Sequence, residues 1–579
     1  MDITSKEISK LLNEFADFLE IKGENVYKIR AYENAARRLT SLEEELKLLW
    51  QEDRLTEIDG VGEGIASAID EVFRTGTLEE LEELKRELPD GIIDLLQIPG
   101  LGPKRAHQLF YKLEINNVED LGRALEAGRV RELDGFGEKL EKKLIEGVAR
   151  FRRFQDFYSI DEAEAIFSEL SGLIEEHSDL VDNFKEVGSF RRKKELVRDI
   201  DILVCPASGK KEKFIEMLLE DERLKRKEDN SRNEDLLSCE WQGGFDVEFV
   251  FANRENYPVA LQRATGSEEH SRKLENLAED KGLTFCGNGM ENSEGEDIIL
   301  EDEEDLYQRL GLKFIIPELR EDKGEIEAAA ENNLPDSPGI DDIKGDLHVH
   351  SRYSDGTHSL RDMTEMAVRR GYEYIAITDH SVSLRIADGL SAEDLAAQSE
   401  DIDKIQDDFS DIKILKGVEV DILPSGELDY DDSVLGQLDF VIASIHSNFS
   451  QSEQEMTERI IKALRNPHVD ILGHPQGRLL ASRRAYSANM EEIIEEAAST
   501  GTCLEINASP SRLDLDDEHT RRAVKAGVKV AINTDAHHTG EFSSIKYGVN
   551  IARRGWLSSE DIINTFSIDK LLQFLEEDY

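Results

Sequence analysis

Apolar positions change their period several times along the chain, and each change marks a region. Over residues 1 to about 150 they recur at helical spacing: Ile8, Leu11, Leu12, Phe15, Phe18 and Leu19 return every three or four positions, the stripe of an amphipathic helix. Residues 185–205 and 243–252 alternate or run apolar and are rich in β-branched side chains, which predicts strands. Residues 317–345 break the pattern. Pro317, Pro335 and Pro338 sit there among many acids and few apolar residues, which predicts a linker. Beyond Gly345 the apolar runs Tyr374–Ile377, Phe440–Ala443, Val469–Leu472, Cys503–Ile506 and Val528–Ile532 alternate with amphipathic helical stretches. That alternation predicts parallel β/α units closing into a barrel. The expected class is multidomain α+β, with helical domains first and the barrel last.

Length and composition narrow the options. A chain of 579 residues exceeds one core, and 39% hydrophobic residues suffice for several. No run of about 18 apolar residues predicts a membrane span, and the opening MDITSKEISK has no apolar signal core. Cys205, Cys239, Cys286 and Cys503 lie far apart and suggest no disulfide framework, so a reducing cytoplasm is expected. Charge complicates any nucleic-acid reading: 125 acids against 71 bases give a net −54, where a basic surface is the norm. The acids are spread along the whole chain, which favours adaptation to a high-salt cytoplasm. At molar salt the Debye length is about 3 Å, so repulsion from a polyanion is screened. Counterion release would then add little to binding.

One short motif is written three times. Ile58-Asp-Gly60-Val-Gly62, Ile98-Pro-Gly100-Leu-Gly102 and Leu133-Asp-Gly135-Phe-Gly137 each precede a helical run. Paired glycines permit a tight turn with exposed backbone N–H groups at a helix N-terminus, a site for a phosphate oxygen. The pattern resembles the helix-hairpin-helix motif. Lys104 and Arg105 add charge at the second copy, and Glu141 in the third replaces Ala66 and Ala106 of the others.

The central strands carry paired acids. Gly188-Ser189-Phe190-Arg191-Arg192 precedes Asp199-Ile200-Asp201, and residues i and i+2 of a strand point to one side. Two carboxylates held together repel unless a cation joins them, and oxygen-only ligands select Mg²⁺. Asp246, in Phe245-Asp-Val-Glu-Phe, is the candidate third carboxylate of a two-metal site for phosphoryl transfer.

These segments, with Ala264-Thr-Gly266-Ser267, stand in the order of the family X DNA polymerases, which residues 1–316 resemble. The resemblance implies gap-filling synthesis. Ser189 and Arg192, with Gly188 and Gly266, would hold the incoming triphosphate; Asp199, Asp201 and Asp246 would hold two Mg²⁺, with Asp246 helping to activate the primer 3′-hydroxyl. The chain departs from the family pattern at four places. Arg263 and Ala264 replace two aromatics, Glu248 stands for an arginine, Ser271 for an asparagine that contacts the incoming base, and Ala68 for the Schiff-base lysine of the eukaryotic repair enzyme. The first three bear on polymerase strength. The last predicts no lyase chemistry of that kind.

Histidine is scarce, 13 in 579, yet it clusters at the ends of the C-terminal apolar runs. His348 and His350, Asp355, His380, Glu419, His446, His474, then Asp535 and His537 each end such a run. Strand ends of a barrel meet on one face, so these side chains can converge. Imidazole with carboxylate suits Zn²⁺, Mn²⁺ or Fe²⁺, and this many ligands suggest two to three ions that activate water and clamp a phosphodiester. The Thr-Asp-x-His spacing assigns the last ligand to His537 rather than His538. Arg478 and Arg512 are candidates to hold a substrate phosphate.

This set resembles the PHP (polymerase and histidinol phosphatase) domain, and the whole chain resembles the bacterial and archaeal family X enzymes that carry one. The resemblance implies helical domains at 1–88 and 89–150, the second with two hairpins. It continues with a nucleotidyltransferase palm at 151–255, a thumb at 256–316, the acidic linker at 317–343 and a (β/α)7-like PHP barrel at 344–579. It further implies a cytoplasmic monomeric repair enzyme acting on gapped or nicked duplex DNA, 3′ ends and dNTPs, with no membrane partner, and a 3′-to-5′ exonuclease in the barrel. Two other readings stay open: an end-processing nuclease whose polymerase half only positions DNA, and a small-molecule phosphatase.

Overall fold

The computed structural model describes residues 5–39, 42–52, 54–58, 60–154, 157–227, 235–286, 289–480 and 483–576. Asp59 of the first Gly-x-Gly copy lies outside them. The chain divides into two compact units, residues 1–156 with 481–483 and residues 157–480 with 484–579.

The first unit is helical among its described residues: α1 (Ser5–Lys22), α2 (Val26–Leu39), α3 (Glu43–Gln51), α4 (Glu63–Thr75), α5 (Glu79–Glu87), α6 (Pro103–Leu113), α7 (Val118–Glu126) and α8 (Glu138–Phe154). The apolar stripe of α1 works as its spacing predicts. Ile8, Leu12, Phe15, Phe18 and Leu19 are buried, with Leu11 packed at the margin. Each such burial contributes roughly 1.5–3 kcal/mol. Ala68 is buried on α4.

After a helix over Ile160–Glu176, the second unit forms an antiparallel-rich sheet of β1 (Val181–Val187), β2 (Asp199–Pro206), β3 (Leu224–Arg226), β4 (Leu236–Trp241) and β5 (Phe245–Phe251), in spatial order β1-β2-β5-β4-β3. The one parallel pair, β2 with β5, sets Asp199 opposite Asp246 and Asp201 opposite Glu248. Alternation on β5 puts Phe245, Val247, Phe249 and Phe251 into the core and turns the acids to the other face. A small sheet follows, β6 (Leu283–Cys286), β7 (Gly289–Asn292) and β8 (Asp297–Ile298), with α9 (Tyr257–Thr265), α10 (Glu268–Asp280) and α11 (Glu303–Arg309).

The segment expected as a linker is packed. Leu319, Ile326 and Ala329 share a core with Leu274, Leu306, Tyr307 and Ile315, and α12 (Glu325–Ala330) forms within it. Two of its acids are buried and paired: Glu325 lies 2.6 Å from His270 Nδ1 and Glu318 3.0 Å from Arg553. A few well-spaced apolar side chains outweigh the acid and proline content that made the segment read as a spacer.

Seven parallel strands then run in sequence order: β9 (Gly345–Val349), β10 (Tyr374–Ile377), β11 (Lys413–Asp421), β12 (Phe440–Ser444), β13 (Ile471–Leu472), β14 (Cys503–Asn507) and β15 (Val530–Asn533). A bridge from Val349 to Ala536 nearly closes the barrel, and His350 N–H donates to the Ala536 carbonyl at 2.8 Å. β9 and β11 were masked in the apolar pattern by Asp346, His348, Lys416 and Glu419, which sit on them. Among the described residues no helix is long and apolar enough to cross a membrane.

Candidate active sites

The three Gly-x-Gly segments adopt one conformation. Gly60, Gly100 and Gly135 have φ of 82°, 95° and 87°, and the next N–H bonds back to the carbonyl of Ile58, Ile98 or Leu133 at 3.0, 2.9 and 3.1 Å. Glycine at the third position satisfies a type II turn. The second glycines, Gly62, Gly102 and Gly137, each precede a helix, and a Cβ on any of them would meet nothing within 4 Å. Each turn therefore leaves open space before a helix N-terminus. Arg105 donates to the Gly100 carbonyl at 2.8 Å and so braces its own turn, whereas Lys104 is exposed. Glu141 of the third copy is buried and lies 3.1 Å from Arg131.

The central carboxylates stand on neighbouring strands. Burial and Asp246 raise the Asp199 pKa; burial, Asp199 and Glu248 push that of Asp201 up to about 7, with Arg192 opposing. Carboxylates packed this closely resist ionising together, and a cation relieves that cost. Gly188 makes room for the cluster: its φ is 65°, and a Cβ there would lie 2.0 Å from Asp201 Oδ2. Ser189 is half-buried in the turn Gly188–Arg191. Arg192 donates to the Thr265 carbonyl beside Gly266. One neighbour was not expected: Lys227 Nζ lies 2.7 Å from Asp246 Oδ1.

Arg191 faces away from these acids. It is buried, bonds Thr265 Oγ1 and meets Glu303 at 2.7 Å, while Arg320 holds the other Glu303 oxygen at 2.5 Å. This buried Arg-Glu-Arg group ties α11 to the turn before β2. Arg263 turns outward to Glu275 at 2.8 Å and stacks over Phe285; Ser271 Oγ accepts from Gln262 Nε2 at 3.1 Å. Ala264 packs against Val187, Leu203 and Leu261.

At the barrel's C-terminal face all nine expected side chains come together. Glu419 is the centre, with His380 Nδ1 at 2.8 Å, His474 Nε2 at 3.1 Å, His446 Nε2 at 3.3 Å, His348 Nε2 at 3.4 Å and His350 Nε2 at 3.6 Å. Asp535 lies 3.1 Å from His350 Nε2, and Asp355 lies 3.4 Å from His537 Nε2 and 3.6 Å from His380 Nε2. Three subsets are tight enough to hold a cation: His350, Asp355, His380 and His537; His348, His350 and Asp535; His380, Glu419 and His446. His380 Nδ1 and His348 Nε2 lie 2.8 and 3.4 Å from Glu419 Oε2 yet form no well-aligned hydrogen bond with it, an arrangement that fits metal ligands and is costly without them. His538 instead pairs with Glu541 at 3.3 Å.

The electrostatics say the same. Burial alone would raise Glu419, yet His446, His348 and His380 hold it well below the carboxylate range. Despite burial, Glu419 and Asp421 raise His446 to about 9, and Asp355 and Asp535 raise His537 to about 10. Burial, His537 and His380 push His350 down to about 3. Protons thus occupy places that cations would compete for. His474 and Asp535 have φ of 28° and 55°, strained values for non-glycine residues. Strain of this kind costs roughly 1–3 kcal/mol per residue and concentrates at working sites.

A supporting layer escaped the sequence reading. Glu505 Oε1 sits 2.7 Å from His348 Nδ1, and its other oxygen accepts the His474 N–H at 2.7 Å. Asp421 Oδ1 lies 2.8 Å from His446 Nδ1, and Asn507 donates to Asp535 at 3.0 Å. Asp421, two residues past Glu419 on one strand, and Glu505, a lone acid within an apolar strand, were the available signals. Of the two arginines proposed for phosphate, Arg512 stays at the site, 3.4 Å from Asp535 with Nη1 buried and unpaired. Arg478 is committed elsewhere, to Glu195 at 2.6 Å and the Leu513 carbonyl.

Comparison with known proteins matches these parts one by one. Residues 346–509 match the PHP domain, 4–78 a helix-hairpin-helix domain, 92–150 a SAM-like helix-hairpin-helix tandem and 260–321 the DNA polymerase beta thumb. The chain is 38% identical over 574 residues to the DNA polymerase/3'-5' exonuclease PolX of Bacillus subtilis (strain 168), covering 99% of each. The chain belongs to the PHP-bearing family X DNA polymerases. Relatives that align with only 40% of the chain include probable phosphatases of Thermoanaerobacter sp. (strain X514), 28% identical, and Caldanaerobacter subterraneus, 31% identical, covering 94% and 91% of those proteins. In this family X chain the thumb match runs to residue 321, past the boundary expected at 316 and into the packed segment.

Proposed function

We infer that the chain both extends and trims DNA 3′ ends: a palm centred on Asp199, Asp201 and Asp246 transfers nucleotides, and the barrel cleaves phosphodiesters 3′-to-5′. The observation that carries this is the pair of separate acid-rich pockets in one chain whose family relationship spans 99% of its length. Two Mg²⁺ in the palm and two to three Mn²⁺ or Zn²⁺ in the barrel fit the donor types; when bound, such ions polarise a phosphoryl oxygen and lower the pKa of water.

The residues do the rest. Ser189 and Arg192, beside the open backbone of Gly188 and Gly266, orient the triphosphate of a dNTP. Asp246 accepts the primer hydroxyl proton, which requires Lys227 to move off its carboxylate. In the barrel, Arg512 offers an unpaired, buried guanidinium N–H to a substrate phosphate. The turns at Gly60/Gly62, Gly100/Gly102 and Gly135/Gly137, with Lys104, hold the DNA backbone without reading bases. Gapped or nicked duplex is the proposed substrate and the monomer the proposed working form.

The probable phosphatases among the relatives support phosphoester chemistry in the barrel. The helix-hairpin-helix and thumb regions favour DNA over a small molecule as its substrate. A competition assay decides: trimming of an oligonucleotide should resist an excess of a phosphate monoester, and strong inhibition would favour the phosphatase reading. Arg263, Ala264, Glu248 and Ser271 favour an end-processing nuclease with a weak palm. Primer extension that is abolished in Asp199→Ala excludes that reading; no extension by the unaltered chain establishes it.

A further inference from the structure

Arg192 sits at a junction that nucleotidyl transfer alone does not explain. Its guanidinium is clamped on two edges, Nε to Glu321 Oε1 at 3.1 Å and Nη1 to the Thr265 carbonyl at 2.5 Å. Among the described residues Nη2 donates to no protein acceptor. A Cβ on Gly266 would come within 3.1 Å of Nη1, so the glycine keeps that edge open. Glu321 is shared three ways, with Arg192 at 3.1 Å, Lys194 at 3.0 Å and Arg554 at 3.1 Å.

Arg554 belongs to the barrel half. It ends the helix Ile545–Arg554 and lies 233 positions beyond Glu321. It is 4% exposed, donates to Asp517 at 2.8 Å, and also donates to the main-chain carbonyl of Arg192 at 2.9 Å. One barrel arginine thus grips both the backbone of Arg192 and the carboxylate that holds the Arg192 side chain. Three residues on, Glu195 meets the barrel's Arg478 at 2.6 Å, so the turn is tied down at both ends.

The balance of charges gives this contact a consequence. Despite burial, Arg554, Lys194 and Arg192 hold the Glu321 carboxyl down at about 2, so it is ionised throughout the working range. Arg192 also lies close enough to Asp201 to oppose its raised pKa. It therefore has two anionic neighbours besides any triphosphate. Without Glu321 the guanidinium loses the acceptor that holds its Nε edge. Without Arg554 the Glu321 charge falls to Arg192 and Lys194 alone, which draws Arg192 away from a phosphate. A buried ion network that loses one member is left unbalanced, unlike a surface pair.

We propose that Arg554 and Glu321 are positioning residues for nucleotidyl transfer: the barrel half aims Arg192 at the incoming triphosphate, so the polymerase site is complete only when the barrel is docked. This rests on the reading of Arg192 as a triphosphate ligand, and the test separates the two. Steady-state gap filling is measured on the full chain for Arg192→Ala, Arg554→Met, Arg554→Lys and Glu321→Gln, with trimming in the absence of dNTPs as the control. Arg554→Met and Glu321→Gln should each raise the dNTP KM about tenfold while kcat stays within about twofold, the signature of lost substrate binding. Arg554→Lys should restore most of the loss, and trimming should stay within about twofold. An unchanged KM in both Arg554→Met and Glu321→Gln, with Arg192→Ala impaired, overturns the proposal and leaves the Arg192 role standing. Full activity in Arg192→Ala overturns the underlying reading. Parallel loss of extension and trimming that lysine does not rescue makes the contact merely structural, and Glu321→Gln supplies the same readouts if Arg554→Met does not fold.

Discussion

Single residues carry much of the design, and Gly188 is the sharpest case. Its left-handed backbone and the 2.0 Å separation that a Cβ would have from Asp201 Oδ2 leave no room for alanine without moving the carboxylate. Displacing a reacting group by about 1 Å costs on the order of 10²-fold. Gly188→Ala is therefore expected to lower kcat/KM for extension by about that factor and to leave trimming unchanged, as read on the same labelled primer. The residues that read clearly in the sequence share one property: their role follows from local spacing. Asp199 and Asp201 are two apart on a strand, and most of the barrel ligands lie at or just beyond the end of an apolar run. Lys227 had no such signal, because its partner Asp246 lies on another strand.

At the scale of elements, strand β14 shows what spacing cannot reveal. Glu505 is fully buried and joins His348 to the backbone of His474, so two ligands from separate strands depend on it. Partners of this kind typically change metal affinity 10–100-fold. Glu505→Gln should weaken Mn²⁺ binding to the barrel by about that range in a calorimetric titration; unchanged affinity would remove Glu505 from the site. The same titration should depend on pH. His446 and His537, with pKa values raised to about 9 and 10, are protonated at neutral pH and must lose those protons to coordinate. Metal binding should therefore release protons and tighten as pH rises from about 6 toward 9. The packed segment 317–343 was illegible for a related reason: its buried acids Glu325 and Glu318 are paired with His270 and Arg553, residues remote in sequence. Barrel strands β9 and β11 were hidden likewise, since two of the polar residues that interrupt their apolar pattern, His348 and Glu419, are the ones that build the site.

The whole molecule must bind a polyanion while carrying a net charge of −54. The proposed answer is the backbone turns, whose N–H groups at a helix N-terminus attract phosphate without a basic surface. Gly102→Val should cost no more than about 1 kcal/mol of stability, the loss of a good N-cap, since a Cβ at Gly102 meets nothing within 4 Å, yet weaken duplex binding several-fold in an anisotropy titration. Few ion pairs with phosphate also mean that the plot of log affinity against log salt should be shallow, with a slope of magnitude below about 3. Self-repulsion at this charge predicts a melting temperature that rises by about 5 °C or more between 0.1 and 2 M KCl, the behaviour expected of a chain from a high-salt cytoplasm.

The central claim is that two metal-binding pockets in one chain perform opposite reactions on a 3′ end. One 5′-labelled gapped duplex, incubated with Mn²⁺ with and without dNTPs, tests it most directly. Longer products are expected when dNTPs are present and shorter ones when they are absent, with His348→Ala losing only the shortening and Asp199→Ala only the lengthening. Products of unchanged length under both conditions, or a single substitution that abolishes both reactions, would contradict it.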